Sequence, residues 1–450
     1  MKIINAIECM AVAFLAVYGT AILAAPGELD PSFNSVGFTR DWLPIFSGGN
    51  GLAIHSTGEI VTSGFYLGPD QFQLALWRHL PDGTLDATFG GGTGIVSPPT
   101  AADISVFAAA LAIDSVGRIV LVSGNANQHV VYRFNFDGTP DLSFSGTGRM
   151  TVPLGFPVFP IVGLAIQSDD KIIVASGAAA VMSQFAVYRV LTEGGLDPSF
   201  GGTGLVLTQI TSGGGTDRAT GVAIQPDGKI VVAGRVRTLD PGAFFDFGLA
   251  RYTTNGDLDD SFGDGGKVIV SVRDNDQGRK VVMQPDGKIV IAGSVCVGAL
   301  DDHCYFGAAR LNPCGALDTS FGDGGKVVTD VGIGGGLVFD IALQQDNYIV
   351  VAGLHNWAGD RSGENTVLAR YAPDGTLDPL FGVSGISETN YGYVVSEPDA
   401  MRIQSDGQIV LGTNTFSTAF GTAVTARYTG GSGTLANAPN QMAHQTQQLP

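Results

Sequence analysis

The chain has 450 residues, a net charge of −18 and 65 glycines. A field of that sign disfavours nucleic acid and anionic lipid surfaces as partners. The apolar fraction of 44% is that of an ordinary globular protein, and glycine recurs at fixed places, so it marks turns and not a disordered composition.

Residues 1–25 read as a signal peptide. Lys2 gives a short basic start, an apolar stretch runs from Cys9 to Ala25, and small residues end it before Pro26. That stretch of 17 residues is marginal for a membrane span, and no other segment is long and apolar enough. The mature chain is expected to be secreted, periplasmic or at the cell surface. Its charge stays at −18, because Lys2 and Glu8 leave together.

From residue 26 to 429 the chain repeats itself. It opens on "GELDPSF", and then three anchors recur in fixed order. The first is a strand, a turn and a strand, as in "AIQPDGKIVVAG" from Ala223 and "VMQPDGKIVIAG" from Val282. Pro presets φ, Asp bonds its own backbone and Gly accepts φ > 0, so "PDG" is a tight turn. "KIVVAG" is a continuous β-branched run, which reads as a strand covered on both faces. The second anchor, "ARY"-like, is a third strand. The third, "LDxSFG"-like, turns the chain into a fourth, "GKVVTDV". The phenylalanines of this anchor are Phe33, Phe89, Phe144, Phe200, Phe262, Phe321 and Phe381, spaced 55 to 62 residues apart.

Four antiparallel strands repeated seven times predict an all-β fold, a seven-bladed β-propeller. The ends support a closed ring. The chain begins at the third anchor and its last repeat stops at the second, so an N-terminal strand near Phe38 should complete the last blade. A β-solenoid would leave these mismatched ends unexplained.

In six repeats an Asp follows the "ARY" Arg by eight residues: Arg78 and Asp86, Arg133 and Asp141, Arg189 and Asp197, Arg251 and Asp259, Arg310 and Asp318, Arg370 and Asp378. Arg427 and Asp30 are the two orphans of the series and are expected to pair across the ring closure. Guanidinium and carboxylate fit as two forks, so each pair should be partly buried and bridge a strand to its following turn.

The "PDG" and "LDxSFG" turns share one face of the ring and barely vary. The other connections share the opposite face and do vary, which is where recognition could sit. Candidate ligand-binding aromatics there are Trp42, Phe65, Tyr66, Phe244, Phe245, Trp357, Tyr391 and Tyr393. Any one of them could instead pack under its own loop. Cys296 and Cys304 both fall on this face and should bridge. Cys314 lies about 33 Å from Cys304 along a strand, too far for a bond.

The search for chemistry returns little. "HExxH", "GxSxG" and a Walker loop are absent from the sequence, and the "FGxGG" runs precede strands, not helices. The acidic segments from Asp257 and Arg273 resemble calcium loops without the full ligand spacing. No cofactor, metal or catalytic residue is assigned.

The repeat resembles the delta-60 repeat family of bacterial exported proteins, whose motif stands almost intact at Gln225–Val268 and Gln284–Val327. The likeness covers residues 29 to 429. Asn34 and Ser145 stand where the motif has Gly after Phe, Asp170 replaces a turn Gly and Pro140 a Leu. The resemblance implies a propeller-like β repeat and supplies no catalytic residues. The expectation is a monomeric, non-catalytic binding or scaffold propeller recognising a carbohydrate or a cell-surface protein. The alternatives are a hydrolase or lyase acting at the central channel mouth, and a passive surface protein. Residues 430–450 read as a disordered polar tail.

Overall fold

A computed structural model describes residues 24–41, 47–68, 72–98, 109–124, 128–152, 154, 163–179, 183–211, 216–238, 244–298, 303–332, 334–355, 363–416 and 421–431. Residues 1–23, where a signal peptide is expected, residues 432–450, where a polar tail is expected, and Trp42 and Trp357 lie outside them. All regular structure is β: seven sheets of four antiparallel strands each. Blades 1 to 6 take residues 47–96, 109–152, 163–208, 218–270, 275–329 and 336–389 in order. Blade 5 shows the pattern, with strands Asn275–Met283, Ile289–Val297, His303–Leu311 and Lys326–Thr329 running from the axis outwards.

Blade 7 draws its outer strand from the other end of the chain. Phe38–Asp41 pairs antiparallel with Gly421–Tyr428. The closure extends past the strand: Gly27 N–H donates to Thr429 O at 2.8 Å, and Thr429 N–H to Glu28 O at 2.9 Å. Gly27, at φ +87°, occupies the place that the turn Gly of "DG" holds in the other blades.

The core lies between blades. Seven hydrophobic clusters fill the seven blade interfaces, including Phe33, Leu52, Ile60, Ala400 and Val410 between blades 7 and 1. This is why Ile119–Gly124 and Asp246–Tyr252 are buried at every residue. Stacked blades cover both faces of a middle strand, so an alternating pattern would waste half of it.

The "LDxSFG" and "ARY" anchors build one device, repeated seven times. In blade 4 the Nε of Arg251 donates to Asp259 Oδ2 at 2.7 Å. The other oxygen of Asp259 accepts the Ser261 hydroxyl at 2.7 Å and the Ser261 N–H at 3.2 Å. Arg251 Nη2 reaches the same hydroxyl, and its guanidinium lies 4.6 Å from the centre of the Phe262 ring. Its Nη1 donates to Pro313 O, in the turn of the next blade. Equivalent Arg–Asp contacts of 2.7 to 2.8 Å occur at Arg78, Arg133, Arg189 and Arg310. Arg370, whose blade has Leu380 in place of the Ser, reaches Asp378 from both Nε and Nη2. At the closure Arg427 Nε donates to Asp30 Oδ2 at 2.8 Å, and its Nη1 to Pro81 O at 2.5 Å. Each clamp therefore ties a strand to its own turn and to the following blade.

Cys296 and Cys304 face each other across adjacent strands and form a disulfide, and Cys314 is an exposed thiol.

Candidate functional site

The innermost strands surround a central channel with a cavity of about 540 Å³. Blades 1, 4, 5, 6 and 7 share a β-bulge at one position of this strand. A bulge adds one residue and re-aims its side chain. The extra residues of blades 4 to 7 are Thr220, Arg279, Phe339 and Asp399, and all four line the cavity. In blade 1 the bulge falls at Asn50. The strand opposite must let the bulge in. A Cβ on Gly234 would lie 1.9 Å from Arg218 O, and one on Gly293 would lie 2.2 Å from Gln277 O. The glycine of the repeated "VVAG" is therefore a device for building the channel wall.

The bulge position holds a different residue type in each of these blades, whereas the Arg–Asp clamp between the third strand and its following turn is nearly invariant. The bulge lies three residues before the opening residue of "AIQPDG" and its equivalents, Ala53, Ala223, Val282, Ala342 and Arg402. From the sequence the glycine of "VVAG" reads as the residue that bounds the strand, whereas Gly234 and Gly293 lie inside the strands Ile230–Val236 and Ile289–Val297. A Gly within a strand is itself a signal of a bulge or a close backbone approach.

The channel wall is electrically divided. In blades 4 and 5, Arg218 stands in register with Arg235, and Arg235 Nη1 donates to Gln277 Oε1 at 2.5 Å. Burial, with the fields of Arg235 and Arg279, pushes the Arg218 guanidinium down to about 10. Burial likewise lowers Arg279 and Lys280. Both retain some accessible surface, because the cavity reaches them deep inside the ring.

In the next blades, Asp340 accepts the N–H groups of Ile341 and Met401 at 2.9 and 2.8 Å, and Arg402 Nη1 at 3.4 Å. Asp399 accepts Asn414 Nδ2 at 2.6 Å. Burial first, and then the Glu397 carboxylate two residues away, raises Asp399 well above the usual carboxylate range against the pull of Arg279 and Lys280.

The aromatic candidates divide. Phe65 and Tyr391 are corrected to core residues. Phe65 packs in the interface of blades 1 and 2, and Tyr391 packs against Phe38 with its hydroxyl on Tyr428 Oη. Loop position alone did not tell an inward ring from an outward one. Tyr66, Phe244, Phe245 and Tyr393 are half-buried. Tyr66 Oη bonds Gln73 Oε1, and the Arg40 guanidinium lies 5.5 Å from the Tyr393 ring centre. Phe245 lies 4.5 Å beneath the Arg235 guanidinium, which links it to the channel. The carboxylates of the acidic segment from Arg273 are engaged with backbone: Asp276 accepts Val272 N–H at 2.6 Å, and Asp274 accepts Gly298 N–H at 3.2 Å. Burial pushes Asp276 up to about 7. Among the described residues no three His, Cys, Asp or Glu side chains gather as a metal site.

A family model described as "Domain of unknown function (DUF5122) beta-propeller" matches residues 167–200, 225–262 and 344–381. These are the turn-to-Phe segments of blades 3, 4 and 6, so the chain carries repeats of a β-propeller family. No curated protein matches the sequence. Among solved structures the chain is similar to a PL25 polysaccharide lyase, an ulvan lyase, at 13% identity over 85% of this chain and 97% of that one, with a TM-score of 0.48. It is similar to the GH74 xyloglucanase from Xanthomonas campestris at 11% over 85% and 54%, with a TM-score of 0.43. It is also similar to a regucalcin from Agrobacterium tumefaciens at 14% over 71% and 90%, with a TM-score of 0.36. At these values the likeness assigns no activity to this chain. Among the described residues no helix is long and apolar enough to cross a membrane.

Proposed function

We propose that this is an exported, monomeric binding propeller of delta-60-type repeats, which takes a carbohydrate into the central channel from the variable face. The observation that carries this reading is the bulge ring. The residues that build blades repeat, and the bulge residues that reach the cavity, Thr220, Arg279, Phe339 and Asp399, do not. Constancy serves folding, and variation within a scaffold serves recognition. Phe339 offers a ring face for a sugar, and Thr220, Asp399 and Arg279 offer hydrogen-bonding groups around it, the usual make-up of a small-molecule site. Tyr66, Phe245 and Tyr393 would extend it along the rim.

The test is a glycan array followed by calorimetry on the glycan retained. Phe339→Ala should weaken binding at least tenfold while the melting temperature holds. A constant-face variant such as Ser145→Gly should leave binding unchanged. The reverse pattern overturns the assignment.

A second reading, a hydrolase or lyase acting in the channel, has one observation in its favour. Burial, and then the Glu397 carboxylate, favour the protonated form of Asp399, the direction a general acid needs. Release of new chain ends from a polysaccharide, abolished in Asp399→Asn, would select it.

A further inference from the structure

Resting on the channel-binding reading, we infer that the ligand bears a carboxylate, as a uronic-acid saccharide does, and that Arg279 grips it with Lys280 beside it. The chain is acidic overall, at −18, yet Arg279 and Lys280 of blade 5 line the cavity side by side, with Arg218 and Arg235 of blade 4 close enough for their fields to act on the same cluster. Arg235 is engaged by Gln277 and by the Phe245 ring. Arg279 is not. Its Nε is buried with no hydrogen-bond partner, and it forms no ion pair among the described residues. The groups that face it are Arg235, the Phe339 ring at 5.6 Å, and Glu397 and Asp399, whose fields reach it without contact. Lys280 also lacks a hydrogen bond or ion pair among the described residues, since Asp340 spends itself on Met401 N–H, Ile341 N–H and Arg402.

Two adjacent cations with no carboxylate in ion-pair contact, deep in a protein, are a costly arrangement that an incoming anion relieves. The bulge aims Arg279 into a cavity of about 540 Å³, within the roughly 300–1,000 Å³ of small-ligand sites. The acidic groups of blade 7 select the kind of anion. The Glu397 carboxylate disfavours a dianion such as phosphate or sulfate more than a single charge, and a carboxylate carried among hydroxyls suits both Arg279 and its acidic neighbours. Its planar group matches the guanidinium fork, and its hydroxyls can donate to the acidic side.

The experiment is calorimetric titration of the purified protein with a panel of uronic-acid disaccharides, with their methyl esters, which keep the shape and lose the charge, and with sodium sulfate. At least one free acid should bind at least tenfold more tightly than its ester and than sulfate. Arg279→Gln should erase the acid preference, so that free acid and ester bind the variant equally. Equal binding of acid and ester by the unmodified protein overturns the inference, and if Phe339→Ala weakens both, the channel reading survives it. Sulfate binding as tightly as the acid overturns the choice of carboxylate. An acid preference that persists in Arg279→Gln overturns the role of Arg279. Should that variant unfold, the acid-to-ester ratio of the unmodified protein still decides. Binding of no saccharide at all removes both readings.

Discussion

At the scale of the residue, the repeated arginine carries much of the stability. It joins a carboxylate, a hydroxyl, a Phe face and a carbonyl of the next blade, and in Arg251 all four are present. Removing one partner leaves a buried charge, so Arg251→Ala should cost about 3 kcal/mol, read from denaturant unfolding. The acid limb follows from the same clamp. Burial opposes ionisation of Asp259, but the Ser261 hydroxyl, Lys229, the Ser261 N–H and Arg251 outweigh it and hold the carboxyl well below its usual range. Asp30, Asp86, Asp141, Asp197 and Asp318 are lowered too. A group whose folded value is depressed contributes stability above its unfolded value and loses it as pH falls through the folded one. The melting temperature should therefore fall steeply below about pH 4. The gap between the parent and Asp259→Asn should narrow over the same interval, and a constant gap from pH 7 to pH 2 would contradict this account. Departures from the repeat carry a measurable cost. Ser145 sits at φ +51° where the motif has Gly, a conformation that costs a residue with a Cβ about 1–2 kcal/mol. Ser145→Gly should raise the melting temperature, and a fall would refute the assigned strain.

At the scale of the element, the bulged inner strand is where folding and recognition meet. The bulge needs a bare backbone opposite, and Gly293 supplies it in blade 5. Gly293→Ala should destabilise by about 1–3 kcal/mol through overpacking and should also weaken the channel ligand by shifting Arg279. A variant that melts lower but binds as before would separate the bulge from recognition. The outer elements answer to different demands. The last strand of blade 1 shrinks to Ile95–Val96, and the clamp still holds its turn, since Arg78 and Asp86 lie before it.

At the scale of the whole molecule, ring closure decides whether there is a single fold to measure. Residues 27–41 supply the turn Gly, the clamp Asp30 and the outer strand of blade 7. Without them two stacking faces would be wet and one Arg unpaired. Deleting residues 26–41 should collapse thermal stability, while deleting 434–450 should leave the melting temperature within a few degrees. A deletion of 26–41 that melts like the parent would refute closure by this strand.

What the sequence by itself determined about this protein is its repeated part. Blade number, strand order, the closing strand and the Arg-to-Asp spacing are local or periodic features, and a physical constraint met seven times leaves seven copies in the text. Phe262 and its equivalents were legible for the same reason. The channel was decided only by tertiary structure. Arg279, Phe339 and Asp399 are about 60 residues apart along the chain and share a cavity only because the ring brings the innermost strands around one axis. Nor could an aromatic beyond the repeated core declare its direction: Tyr391 turned inward onto Tyr428, and Phe65, inside the strand Ile60–Leu67, into a blade interface, since burial depends on the neighbouring blade and not on the local residues.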